Sequence, residues 1–177
     1  MLSPVQKDIV EQSGNLIVRA SAGTGKTHTM VSKIVHDIKN QHTHKVVAAI
    51  TFTIKAAKEI KDRLIIDTSN HFIGTNNSFV IEEIIKPFMK DVYGQAYKVD
   101  MNADYSVKVN TFADGLLKIK DEQTLGSYAD SKENFIFQLA LDILKRSTAC
   151  QLYMQAKYFK IYVDEYQDYI YSANPYF

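Results

Sequence analysis

Two short stretches of this sequence hold side chains whose order suits one kind of chemistry. Residues 20–27 read Ala20-Ser21-Ala22-Gly23-Thr24-Gly25-Lys26-Thr27. Glycines at 23 and 25 let the backbone curl so that successive N–H groups point inward, and the N-terminus of a following helix adds partial positive charge, the environment that β- and γ-phosphate oxygens need. Lys26 then neutralises phosphate charge and the Thr27 hydroxyl is a ligand for Mg²⁺. Alanine at 20 takes the place of the motif's usual first glycine. The plainer alternative, a glycine-rich turn with a solvated lysine, does not account for the apolar run before the loop and the helical period after it. The second stretch is Asp164-Glu165, delivered by the apolar run Tyr158 to Val163. A phosphate loop needs a carboxylate to hold Mg²⁺, and a nucleoside triphosphatase also needs a group that orients the attacking water. Asp164 suits the first task and Glu165 the second. Two adjacent acids can also do no more than end a strand, and the phosphate loop upstream argues against that reading.

The elements that must position these groups follow from periodicity. Asn15 to Ala20 (NLIVRA) reads as a strand, and from Lys26 the apolar positions Met30, Val31, Ile34, Val35 and Ile38 recur at helical spacing. Lys45 to Phe52 (KVVAAITF) is a continuous apolar run, as a strand buried on both faces requires, and Ile54 to Ile66 returns to helical period. Two strand-helix units in succession predict a parallel α/β sheet. His71 to Thr75 is a candidate third strand. Ile81 to Val92 reads as a helix kinked or split by Pro87, and Asp91 to about Thr124 has weak periodicity. Asn134 to Arg146 is strongly helical, a weaker helical stretch runs to Lys157, and Tyr158 to Val163 is a strand. The prediction is an α/β sheet with a helical insertion; the sequence has no internal repeat and no Gly/Ser linker.

Composition sets the outer bounds. The chain has 177 residues, 46% hydrophobic, with 21 Lys+Arg against 20 Asp+Glu and a net charge of +1. This is one globular domain's worth of chain, and 7 Gly with 3 Pro exclude a collagen-like or disordered protein. The longest apolar stretches are too short for a membrane span and the N-terminus lacks a signal-peptide apolar region, so a cytoplasmic protein is expected. Cys150 is the single cysteine, which excludes an internal disulfide and fits a reducing compartment. Near-zero net charge confines any polyanion contact to a local patch.

Four stretches, in order, resemble the UvrD/Rep-type helicases of superfamily 1, specifically the front part of their first motor domain. Leu2-Ser3-Pro4-Val5-Gln6 is similar to the family's N-terminal glutamine motif; an amide can pair with adenine N6 and N7, and the resemblance gives that role to Gln6. ASAGTGKT at 20–27 resembles the phosphate loop of the RecB and AddA branch, with His28 where many members carry an arginine near the adenine ring. Thr51 to Glu59 (TFTIKAAKE) resembles the segment that lies along single-stranded DNA, which gives Phe52 a stacking face, Thr53 a backbone contact and Lys55 a place at the strand, with Ile54 in the usual position of an asparagine. Asp164-Glu165-Tyr166-Gln167-Asp168 matches the DE-aromatic-QD signature, whose glutamine, here Gln167, links nucleotide state to DNA binding. A weaker match, Gly74 to Phe79, resembles a segment that touches the DNA backbone; Thr75 is retained, and Asn76 and Asn77 replace the family's Phe and His.

The resemblance implies a P-loop NTPase (RecA-like) core over residues 1–79 and 158–177, a shortened helical insertion over 80–157, and a motor domain incomplete at its C-terminus. It implies ATP and Mg²⁺ as ligands, Lys26, Glu165 and Gln167 as the catalytic set, residues 6 and 20–28 around the nucleotide, and Thr27 with Asp164 on the metal. Single-stranded DNA is the implied partner, with 3′-to-5′ polarity and a role such as DNA repair. The later family motifs, with their arginines and the second motor domain, do not occur here, so that domain is expected in the same chain or in a partner. Arginine fingers are worth about 10³ to 10⁵ in turnover, so this chain alone is expected to bind ATP and to hydrolyse it poorly. Seven of the 11 tyrosines lie between Tyr153 and Phe177, an apolar ending that also suggests a fragment.

A rival reading is a nucleotide-dependent regulatory or remnant binding module without turnover, built on the same residues. A small-molecule kinase would share the phosphate loop but leaves DEYQD and TFTIKAAKE unexplained. Lys55, Lys58, Lys61 and Arg63 form a basic helix face that fits either DNA phosphates or plain solvation. His42 and His44 lack a third metal ligand, Cys150 reads as a small core residue, and Tyr93, Tyr97 and Tyr105 read as packing rather than base-stacking groups.

Overall fold

The computed structural model describes residues 2–21, 23–130 and 133–165, which form two compact units. The first lies within residues 2–74 and 157–164, and the second holds residues 75–156 with Glu165.

In the first unit, α1 (Pro4–Glu11) precedes the glycine-bearing loop that ends at Gly25, and α2 (Lys26–Asn40) follows it. β1 (Val46–Thr51), α3 (Ile54–Arg63), β2 (Phe72–Thr75) and β5 (Tyr158–Val163) complete it, with strand order β2-β1-β5. β1 runs parallel to β5, with Val47 opposite Lys160, Ala48 opposite Ile161 and Ile50 opposite Val163. The central position of β1 explains its continuous apolar run: Val47, Ala49, Ile34, Val31, Ile60, Leu64 and Tyr162 share one core, and Ala48 and Ile50, which alternation turns to the other face, are buried as well. α2 and α3 each lay one apolar stripe on this sheet, through Val31 and Ile34 and through Ala57 and Ile60.

The strand expected over Asn15 to Ala20 does not form. These residues are irregular and exposed, Ile17 at 79%. The reason is that an apolar run becomes a strand only when a ladder partner takes its N–H and C=O groups, and among the described residues β5 is paired with β1 alone.

The second unit begins with α4 (Asn76–Val80), a π-helical turn (Ile81–Ile85) and α5 (Lys86–Tyr93). Pro87 sits in the first turn of α5, and the Lys86 N–H reaches back five residues to the Ile81 carbonyl. The wide turn is how the helix passes the proline without a clash, so the predicted split is a bulge in a continuous run. α7 (Phe135–Arg146) packs Phe135, Leu139 and Ile143 against Ile84, Ile85 and Met89, and α8 (Thr148–Lys157) adds Cys150 to that core, as expected. The weakly periodic stretch contains β3 (Asn102–Val109), α6 (Phe112–Glu122) and β4 (Thr124–Tyr128), a strand-helix-strand unit with its two strands parallel. β3 alternates polar residues with Ala103, Tyr105, Val107 and Val109 and is mostly exposed, so it leaves no continuous apolar run in the sequence. Among the described residues no helix is long and apolar enough to cross a membrane.

Candidate nucleotide site

α1 starts on a complete capping box. The Ser3 hydroxyl accepts the Gln6 N–H at 3.3 Å, the Ser3 N–H donates to Gln6 Oε1 at 2.8 Å, and Pro4 takes the first helical position, where a missing N–H costs nothing. The other end of the same amide reaches the phosphate loop, with Gln6 Nε2 donating to the Thr24 carbonyl at 3.1 Å. Gln6 is thus a brace between α1 and the loop, a role its motif did not predict.

The loop has the curl expected of it. Gly23 (φ 78°) and Gly25 (φ 85°) are both left-handed, and Gly25 is the N-cap of the 15-residue α2. L-residues pay roughly 1–2 kcal/mol for that conformation, which is why glycine stands at both positions. The Thr24 hydroxyl donates to the Ser21 carbonyl at 2.7 Å and closes the turn, and Thr29 Oγ1 donates to the Gly25 carbonyl at 3.0 Å in the first turn of α2. Lys26 Nζ folds back over the loop onto the Ala20 carbonyl at 3.2 Å. Thr27 is half-buried in the first turn of α2, whereas Ser21 and His28 are exposed. Ala22 lies outside the described residues.

β5 carries the acidic pair. The Asp164 N–H donates to the Ile50 carbonyl at 2.9 Å, which continues the β1–β5 pairing one residue past the strand and sets Asp164 at its C-terminal end. Ligands of open parallel sheets bind at that end. Glu165 follows with φ 51°, a left-handed backbone in a non-glycine residue. Gln167 lies outside the described residues. The hydroxyl of Thr27 and the carboxylate of Asp164 are hard oxygen donors of the kind Mg²⁺ takes one or two at a time beside phosphate oxygens. No group of three or more His, Cys, Asp or Glu able to hold a metal occurs among the described residues, and a site of that kind needs none.

Beyond β1, Phe52 is 49% exposed, and Thr53 is the N-cap of α3, its hydroxyl accepting the Ala56 N–H at 3.1 Å. Lys55 is exposed in the first turn of α3. Thr75 opens the second unit and caps α4, accepting the Ser78 N–H at 3.2 Å. Both threonines of the DNA-contact expectation are therefore helix caps in this structure.

The capped helix and the Gly-x-Gly-Lys-Thr loop lie within a stretch of sequence that matches known proteins. Residues 2–125 match the family model of the UvrD/REP helicase N-terminal domain. The chain belongs to that helicase family. Among curated relatives, the Gabija protein GajB of Bacillus cereus (strain VD045) is 48% identical over 164 residues, 92% of this chain and 33% of that protein. The ATP-dependent DNA helicase Rep of Escherichia coli (strain K12) is 45% identical over 67 residues, 36% of this chain and 10% of its own. The helicase of the same name from Buchnera aphidicola subsp. Baizongia pistaciae (strain Bp) is 48% identical over 61 residues, 34% of this chain and 9% of its own. The chain spans about a third of the length of GajB and far less of the two Rep proteins.

One cluster in the first unit was not anticipated. Lys33 of α2 is buried and its ammonium donates to the Val10 carbonyl at 3.1 Å and the Gln12 carbonyl at 2.6 Å, at the end of α1. Asp37, one turn along α2, faces Lys33 at 3.4 Å and accepts from Lys160 at 2.7 Å and from the Tyr162 hydroxyl, both on one face of β5. Burial acts against the Asp37 charge, but the bonds from Lys160, Tyr162 and His36 outweigh it and hold the carboxyl below its ordinary range. Burial and then the Asp37 carboxylate push the Tyr162 phenol up, so it remains a donor at any physiological pH. In the sequence Lys33 and Asp37 look like an ordinary i, i+4 surface pair, and the spacing of Lys160 and Tyr162 does not mark them as its partners.

Proposed function

We propose that this chain is the ATP-binding front part of an ATP-dependent DNA helicase that couples hydrolysis to 3′-to-5′ movement along single-stranded DNA. The observation that carries the reading is the phosphate loop: two left-handed glycines, a lysine folded over the loop, and a 15-residue helix beginning at that lysine. Membership of the helicase family and the similarity to Rep support the rest.

In this reading the residues divide the work by position. Backbone N–H groups over 20–25 and the start of α2 bind phosphate oxygens, and Lys26 exchanges its neutral carbonyl partner at Ala20 for phosphate charge, a stronger bond. Gln6 reads adenine through its amide and gives up the Thr24 carbonyl to do so, which ties base recognition to the shape of the loop. Thr27 and Asp164 would hold Mg²⁺, which would supply neutralisation of phosphate charge when bound. Glu165 orients the attacking water and takes its proton. Gln167 relays the nucleotide state to the DNA-contacting residues Phe52, Thr53, Lys55 and Thr75. Residues 80–157 are the family's insertion, and a second motor domain, in the same chain or a partner, supplies the arginines that complete turnover.

The test is ATP turnover of the full protein with single-stranded DNA, compared with Glu165→Gln. The variant is expected to bind ATP as the parent does and to lose about 10²- to 10⁴-fold in turnover, the usual worth of a positioned base. Retained turnover removes Glu165 from that role. ATP binding with no turnover in the parent protein, with and without DNA, supports instead a regulatory binding module.

A further inference from the structure

α1 has only eight residues, yet it carries Gln6, and its hold on the rest of the first unit is slight. Val10 is its one buried side chain. The Gln6 amide meets the Thr24 carbonyl near the N-terminal end. At the C-terminal end the last carbonyls of a helix lack intrahelical donors and carry partial negative charge, and α1 has no basic residue of its own there. Lys33 supplies both needs from α2, with its side chain 7% exposed and its ammonium on the Val10 and Gln12 carbonyls. A buried ammonium requires a counter-charge. Asp37 provides it, and through Lys160 and Tyr162 the same carboxylate grips β5, the strand that ends at Asp164. One charged cluster therefore joins the three elements that bear Gln6, Lys26 with Thr27, and Asp164.

We propose that Lys33 is a positioning residue for nucleobase recognition: by capping the C-terminal carbonyls of α1 it holds Gln6 in register with the phosphate loop, so that adenine selectivity is set from the end of α1 remote from the base. A helix of eight residues is a rigid rod of about 12 Å, so freedom at its capped end becomes displacement of Gln6 at the other. The proposal rests on the reading of Gln6 as the adenine-contacting residue and adds the residue that aims it. Lys26 and the loop glycines bind phosphate without α1, so triphosphate affinity does not depend on Lys33.

The experiment is titration of the full protein with ATP, GTP and inorganic tripolyphosphate, for the parent, Gln6→Ala, Lys33→Met, Lys33→Arg and the Gln6→Ala/Lys33→Met pair. A bidentate amide-adenine contact is worth about 1–3 kcal/mol of discrimination, so Gln6→Ala is expected to lower the ATP-over-GTP preference roughly five- to hundredfold. Lys33→Met is expected to lower it by at least about fivefold, with tripolyphosphate binding unchanged and no further loss on the Gln6→Ala background, as expected of two residues acting through one contact. Lys33→Arg, which still donates to two carbonyls, restores most of the preference. An unchanged preference in Lys33→Met, or an equal loss of tripolyphosphate binding, overturns the proposal while Gln6 keeps its role. A preference unmoved by Gln6→Ala overturns the base-reading role and this proposal with it. Should Lys33→Met fail to fold, Lys33→Gln, whose shorter neutral amide cannot hold both the Val10 and Gln12 carbonyls as the ammonium does, takes its place; a lowered preference supports the proposal and an unchanged one overturns it.

Discussion

Replacing Gly25 with alanine separates two costs that the loop before α2 combines. The first is backbone strain: at φ 85° an alanine pays roughly 1–2 kcal/mol. The second is local. A Cβ at Gly25 would stand 3.0 Å from Gln6 Nε2, the far end of a flexible side chain, so the amide swings away rather than clashing and its bond to the Thr24 carbonyl is lost. A partly exposed neutral hydrogen bond of this kind is worth about 0.5–1.5 kcal/mol. Gly23, at φ 78°, has nothing within 4 Å of an added Cβ and pays the first cost alone. Gly23→Ala is therefore expected to destabilise by about 1–2 kcal/mol and Gly25→Ala by about 1 kcal/mol more. On a Gln6→Ala background the difference between the two glycine variants should vanish, because the contact that distinguishes them is gone. Urea unfolding followed by far-UV circular dichroism, with the slope of the transition held in common, measures all five variants including Gln6→Ala itself. Equal costs for the two glycines in the parent background, or a difference that survives in Gln6→Ala, would refute the brace between α1 and the loop.

Three further outcomes are expected. Gly115→Ala in α6 would gain about 0.5–1 kcal/mol from helix propensity alone, but its Cβ would meet the buried Phe135 ring at 2.2 Å. Overpacking of that kind costs about 1–3 kcal/mol, so a lowered melting temperature is expected, and a raised one would contradict the packing of α6 on α7. His71 Nδ1 accepts the Val47 N–H at 3.1 Å, and burial, opposed by Asp67, lowers its pKa below the ordinary value. The unfolded state then binds the proton first, so stability present above about pH 6.5 falls as the pH drops below that value; His71→Gln should flatten this part of the profile in urea titrations, and an unchanged slope would remove His71 from it. Asp37, whose pKa is also lowered, adds stability at neutral pH that is lost only as the pH falls below the ordinary carboxylate range. Asp37→Asn should accordingly remove an acid-side loss, visible as a flatter melting temperature below about pH 4.

The parts of the fold legible in the sequence are those whose burial is local to one element. β1 is an apolar run because it is central in its sheet, and α7 shows its period because Phe135, Leu139 and Ile143 face a single core. Where pairing rather than burial decides, the pattern misleads. Among the described residues, Leu16 to Val18 have strand chemistry and no ladder partner, whereas β3 has a partner but alternates Ala103, Tyr105, Val107 and Val109 with polar residues and buries only Val109. The curl at 23–25 was legible because it is contiguous: two glycines at fixed spacing make one left-handed turn of backbone. Lys33, Asp37, Lys160 and Tyr162 act only because α1, α2 and β5 meet in space, and no spacing along the chain announces that. Gln6 lies between these cases, since its capping box is written locally and its bond to Thr24 is not.

The central claim is that the loop ending at Lys26 binds a nucleoside triphosphate. Isothermal titration calorimetry of the protein with ATP and Mg²⁺, beside Lys26→Ala, measures it without any need for turnover or DNA. Charged hydrogen bonds are worth about 1.5–3 kcal/mol each, so loss of the lysine should weaken binding at least tenfold, to the point where saturation is not reached. Saturable binding in the parent with that loss in the variant is the predicted result; equal affinity in the two proteins, or no binding in the parent, would contradict the account.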